Sequence, residues 1–227
     1  DATAGLLPCR NRRIGSFRPE ERMSPEGGFG KAAVRLEAEK PCYICVIGGP
    51  GSGKTTQSRY IYELFDIAHL SSGQILRQYI ANKKLANSEN ILQMMNEGKL
   101  VDSDIVLKLL IDEMNKQKEA HIVFDGFPIN QQNFEAWNKI THEKLNAIFY
   151  LEVSEDEMKK RLMKRNKRED DNENAIKERI KAFNYETKPL IDYFRKRGQI
   201  IILDGMKSKK KLNEEIKSEI MKRKLYM

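Results

Sequence analysis

The run Gly48-Gly49-Pro50-Gly51-Ser52-Gly53-Lys54-Thr55 matches G-x-x-x-x-G-K-[ST] and narrows the fold more than any other feature. It follows an apolar stretch at 42–47 and precedes a helical pattern at 55–65. Glycines let the backbone curl so that successive N–H groups point inward, and the helix that follows turns its positive end to the same place. Such a concavity binds phosphate oxygens. Lys54 then lies at the outer phosphates, with the Thr55 hydroxyl within reach of Mg²⁺. A strand, a loop and a helix in this order require an α/β chain that binds a nucleoside triphosphate.

The remaining pattern extends that unit. Strand-length apolar runs fall at 42–47, 68–70, 121–125, 147–153 and 199–203. Most are continuously apolar, as expected for parallel strands covered on both faces. Helical patterns lie between them at 55–65, 72–82, 103–118 and 175–197, the last broken or bent near Pro189. Ser154 with Glu157 reads as a capping box opening another helix to residue 164. The expected fold is a doubly wound parallel five-stranded sheet of the P-loop NTPase type. Asp125-Gly126-Phe127-Pro128 closes the third strand, where a carboxylate at the sheet rim can hold Mg²⁺ through water.

Composition bounds the alternatives. With 227 residues, 33% charged and 40% apolar, the chain suits one globular domain with small inserts. Lysine and arginine outnumber acids 41 to 33, which fits a polyanionic partner, either nucleic acid or free nucleotide. No basic groove with interleaved aromatics is present, so no specific nucleic-acid partner is expected. No apolar run reaches the roughly 20 residues needed to span a membrane. Residues 1–40 carry Arg10, Arg12, Arg13, Arg18 and Arg22 among Gly, Pro and Ser, and read as a flexible basic arm or linker. Residues 41–227 form the folded domain.

Cys9, Cys42 and Cys45 are too few for a disulfide framework and point to a reducing, cytoplasmic setting. Cys42 and Cys45 form C-x-x-C, but on a strand residues three apart face opposite ways and cannot bridge. His69 and His121 read as satisfied strand-end residues. Met94, Met95 and Trp137 read as core, with stacking on a nucleotide the alternative for Trp137. The basic run 159–168 reads mainly as a solvated helix face.

Several segments in order resemble nucleoside monophosphate kinases, most closely UMP-CMP kinases and short-form adenylate kinases. They are the run at 47–54, His69-Leu70-Ser71-Ser72-Gly73 with Leu76-Arg77, and Asp125-Gly126-Phe127-Pro128 followed by Asn130-Gln131-Gln132-Asn133 and Trp137-Asn138-Lys139. Arg168-Glu169-Asp170-Asp171-Asn172 and Lys188-Pro189-Leu190-Ile191 complete the set. The resemblance implies transfer of the γ-phosphoryl of ATP to a monophosphate, with UMP or CMP favoured, AMP possible, and Mg²⁺ as cofactor. It implies ATP binding by Gly49, Pro50, Gly51, Ser52, Gly53, Lys54, Thr55 and Thr56. Ser72, Arg77, Gly126 and Asn130 would hold the monophosphate, Asn130 at the pyrimidine. Lys54, Arg165, Arg168 and Arg179 would act on the transferred phosphoryl group, and Thr55 with Asp125 on the metal. Asp170 and Asp171 match lid-hinge acids. An acceptor-binding insert is expected at about 71–101 and a short lid at about 164–173.

The chain also departs from that pattern. Ile129 stands where the family has an arginine that binds the acceptor phosphate. Only Asn166 and Lys167 separate Arg165 from Arg168, so the lid loop is short. Gln74 replaces a usual acid, Thr55 a usual glycine, and Ser72 is indecisive between adenylate and pyrimidine acceptors. The expected activity is therefore a monophosphate kinase, acting as a monomer. The alternative is a weak or inactive nucleotide-binding module in a larger assembly.

Overall fold

A computed structural model describes residues 40–82, 87–117, 121–165, 172–223 and 225. The expected arm at 1–40 lies outside these residues apart from Lys40, as do Arg168, Asp170 and Asp171 of the expected lid. The strands are β1 (Tyr43–Gly48), β2 (Ala68–Ser71), β3 (Ile122–Asp125), β4 (Ala147–Glu152) and β5 (Ile201–Asp204). All pair in parallel in the order β2-β3-β1-β4-β5. Each starts and ends within two residues of its apolar run.

Both faces of the sheet are covered, which is why the strands read as continuously apolar. Cys42, Ile44 and Val46 join one core cluster with Ile61 and Phe65 of α1 (Lys54–Phe65) and Leu212, Ile216 and Ile220 of α9 (Lys209–Lys222). Tyr43, Cys45 and Ile47 join the other, on the opposite face. That second cluster takes in α2 (Ser72–Ala81), α3 (Ser88–Asn96), α4 (Ser103–Lys116), α5 (Gln131–Thr141), α6 (Glu155–Arg165), α7 (Glu173–Ala182) and α8 (Lys188–Lys196). Cys42 and Cys45 thus lie in different clusters, as alternation along a strand dictates. Burial pushes the Cys42 thiol up to about 12 and Cys45 well above the ordinary thiol range.

Short side-chain caps start three helices where the chain must leave a loop, and Ser208 caps α9 at the longer distance of 3.4 Å. Asp102 Oδ1 accepts from Asp104 N at 2.8 Å, Asn130 Oδ1 from Asn133 N at 2.9 Å, and Asn172 Oδ1 from Ala175 N at 2.8 Å. Each cap contributes about 1 kcal/mol. The capping box at Ser154 forms by half. Ser154 Oγ accepts from Glu157 N at 3.4 Å, while the Glu157 carboxylate turns to Arg161 at 2.8 Å.

The bend expected near Pro189 is a π turn at Phe183–Thr187 between α7 and α8. Proline lacks an N–H and its ring crowds the carbonyl four residues back, so the helix widens just ahead of it. Trp137 is core: it is 0% exposed, meets Tyr43, Phe124 and Phe127 edge-on, and donates Nε1 to Glu143 O at 2.9 Å. Met94 and Met95 are only half-buried, and Ile91 is the buried residue of α3. Helices α3 and α5 were not among the patterns read from the sequence.

Candidate active site

The order β2-β3-β1 brings three strand ends to one rim. Val46 of β1 and Ser71 of β2 both stand in register with Asp125, the last residue of β3. Beyond β1 runs the glycine loop, and beyond β2 begins α2. A crevice outside the carboxyl ends of parallel strands is where ligands of such sheets bind.

That crevice is a cavity of about 830 Å³. Its wall carries Gly51, Gly53, Lys54, Thr55 and Thr56 from the loop and α1. Gly51 and Gly53 hold φ of 76° and 95°, the left-handed region that keeps the loop's amides turned inward. Lys54 Nζ donates to Gly49 O at 3.1 Å, which folds the ammonium across the loop. Thr55 Oγ1 donates to Asp125 Oδ2 at 2.7 Å, so the hydroxyl and carboxylate expected at a metal already face each other.

Asp125 is only 2% exposed, and its Oδ1 is buried with no hydrogen-bond partner. A carboxyl oxygen left bare in this way is costly unless a cation or an ordered water meets it. His69 Nε2 lies 3.9 Å from Oδ2 and is itself unpartnered. Burial pushes the His69 imidazole below its ordinary value, Asp125 opposes this, and the Arg59 charge adds to it. A neutral imidazole leaves the carboxylate's charge for a metal. No cluster of three His, Cys, Asp or Glu that could hold a metal occurs among the described residues. Mg²⁺ does not need one, since water and phosphate oxygens complete its octahedron.

The side of the cavity expected to take the acceptor is built on α2. The Ser72 hydroxyl donates toward Asp125 O and Gly126 O at 3.3 and 3.0 Å, pinning the helix start to the end of β3. Arg77, Gly126 and Ile129 line the cavity with it. From the far side come Arg165 of α6 and Arg179 of α7, the latter reaching Met95 O at 3.5 Å. Phosphate oxygens placed here would meet guanidinium forks from several directions.

Asn130 is the residue whose placement differs from expectation. It does not appear in the cavity wall, which runs through Pro128 and Ile129. Its oxygen caps α5, and its amide nitrogen donates to Ser103 Oγ at 3.1 Å and Glu186 Oε2 at 3.2 Å. A buried amide that caps a helix is taken by that duty and does not face a base in this conformation. Trp137 likewise stays away from the cavity, which removes it as a stacking platform.

Arg161 was missed, hidden in a basic run that read as solvated surface. Its Nη2 donates to Gly205 O at 3.0 Å and its Nη1 toward Ser52 O at 3.5 Å, tying α6 to the glycine loop. The sequence signal was its spacing: it is one helical turn before Arg165, so both point to the same side. Phe183 and Thr187, the two ends of the π turn, also line the cavity.

Comparison with known proteins agrees with this geometry. The adenylate kinase family model matches residues 46–199. A rice UMP-CMP kinase 1 is 38% identical over 79% of this chain and 74% of its own length. An Arabidopsis thaliana UMP-CMP kinase 3 is 38% identical over 82% of this chain and 92% of its own. Human UMP-CMP kinase is 35% identical over 78% and 95%.

Proposed function

This chain belongs to the adenylate kinase family, and from that premise we propose that it transfers the γ-phosphoryl of ATP to UMP or CMP, with AMP a weaker acceptor. The observation that carries the reading is one cavity holding Lys54, Thr55 and Asp125 against Arg77, Arg165 and Arg179. Phosphoryl transfer asks little covalent chemistry of a protein, so positioning and charge neutralisation provide the rate. The glycine loop and Lys54 cradle the donor's outer phosphates. Arg77 and the start of α2 orient the acceptor phosphate in line with them. Arg165 and Arg179 meet the charge that spreads over the transferred group.

Mg²⁺ fits the bare Asp125 Oδ1 and the Thr55 hydroxyl. When bound, it would neutralise charge between the outer phosphates. Asp125 and Thr55 would hold its water shell, and the apolar wall of Leu162 and Phe183 would limit bulk water around the phosphates. The free, buried thiols of Cys42 and Cys45 favour a cytoplasmic setting. No helix among the described residues is long and apolar enough to cross a membrane.

The alternative, a weak or inactive module, has Ile129 behind it, while the relatives named above are all kinases. A coupled assay with ATP-Mg²⁺ and UMP, CMP or AMP decides. We expect turnover that Lys54→Met lowers by about 10²–10³-fold, the loss typical of one transition-state charge contact. No turnover with any acceptor would sink the reading.

A further inference from the structure

A second cavity, of about 530 Å³, lies behind the first. Its wall includes Tyr62, Asp66, Ala68 and His69. Arg59 lines both cavities. It stands one helical turn beyond Thr55 on α1, so the two side chains leave the helix on the same side. Arg59 shares the wall of the large cavity with Ser71, Ser72 and Asp125, where β2 and β3 end and α2 begins.

The other cations of the large cavity have partners. Lys54 is turned to Gly49, Lys99 to Glu97, Arg161 to Glu157 and Gly205, and Arg179 to Met95, while Arg77 and Arg165 also interact. Among the described residues Arg59 and Lys164 have no hydrogen bond or ion pair. Lys164 sits on α6, with the donor-side arginines. Arg59 is the unengaged cation on the side of β2 and α2. Its natural neighbour at the Glu63 position, one turn on, does not pair with it. Ile129, which packs on the sheet face opposite α1, gives the same cavity an apolar side chain.

We propose that Arg59 is a further substrate-binding residue, which grips the phosphate of the acceptor monophosphate from the α1 side, opposite Arg77. A monophosphate oxygen between α2 and Asp125 needs cations on both flanks, and Ile129 supplies none. Arg59 has unengaged donors and a place in the same wall as Ser72 and Arg77. This rests on the kinase reading above.

The test is calorimetric titration of UMP and CMP into the full chain, with steady-state kinetics alongside. Arg59→Ala should weaken monophosphate binding by about tenfold or more, as expected for a lost hydrogen bond to a charged group. Arg59→Lys should fall between the two. The KM for ATP and the thermal midpoint should stay within experimental scatter. Adding Ile129→Arg to Arg59→Ala should recover much of the lost affinity, because it restores a cation on the other flank. A structural role for Arg59 would not be rescued in this way. Unchanged monophosphate affinity in Arg59→Ala, or an effect confined to ATP, overturns the proposal alone. A wild-type chain that binds no monophosphate overturns the kinase reading and this inference together.

Discussion

Single residues divide into those whose chemistry follows from identity and those whose duty depends on direction. Lys54, Thr55 and Asp125 line one cavity, with Thr55 donating to Asp125 at 2.7 Å. Asn130 shows the opposite case. Its place after Pro128 suggested a contact with the base, yet its oxygen bonds the amide of Asn133 and its nitrogen Glu186. An amide can cap a helix or read a ligand, and nothing in its identity chooses. The buried thiols allow a check at this scale. Cys42 is raised to about 12 from an ordinary 9.0, so the unfolded chain ionises first. The native state then binds more protons than the unfolded one above about pH 9, and stability falls as pH rises from there toward 12. The slope from Cys42 is up to about 1.4 kcal/mol per pH unit. Urea midpoints measured from pH 8 to 10.5 should show the decline, and Cys42→Ala should make it shallower, with the buried Cys45 still contributing. A midpoint that rose over that range would contradict the burial described.

Elements were legible where periodicity was strong and hidden where a cap or a partner decides. The strands lie within two residues of their apolar runs because burial on both faces leaves no polar positions to blur the edges. Helix α5 escaped because it is short and mostly polar, and it is anchored by the Asn130 cap and by its own buried Trp137. The bend at Pro189 was legible, while its form as a π turn was not, since that depends on which side chains must meet the cavity. Trp137 tests the role of α5. Phe124, Phe127 and Tyr43 surround it at ring distances of 5.3 to 5.6 Å. Trp137→Ala should cost about 3–5 kcal/mol in chemical denaturation, the range for a large aromatic removed from a core. Because Trp137 is the chain's one tryptophan and is 0% exposed, its emission should be blue-shifted and little changed by ATP or UMP. Strong quenching by nucleotide would place it in the site after all.

For the whole molecule, the site exists only where separate elements converge. Residues 54, 77, 125, 165 and 179 are far apart along the chain and share one cavity of about 830 Å³. Metal removal addresses that assembly. Excess EDTA should reduce turnover to about 1% or less, with recovery on adding Mg²⁺, as expected when a metal neutralises the outer phosphates. Asp125→Asn should shift the Mg²⁺ concentration for half-maximal rate upward by about tenfold or more, the scale of one lost charged contact. An unchanged Mg²⁺ requirement in that variant would remove Asp125 from the metal site. The sequence alone determined the phosphate loop and the covered parallel sheet, because both are set by local backbone geometry and by apolar periodicity. It also carried the family, through ordered motifs. Tertiary structure alone decided that Asn130 caps a helix, that Arg161 ties α6 to the loop, and that Arg59 lines the large cavity. Those assignments depend on where side chains point after distant elements pack, and no spacing along the chain encodes that direction.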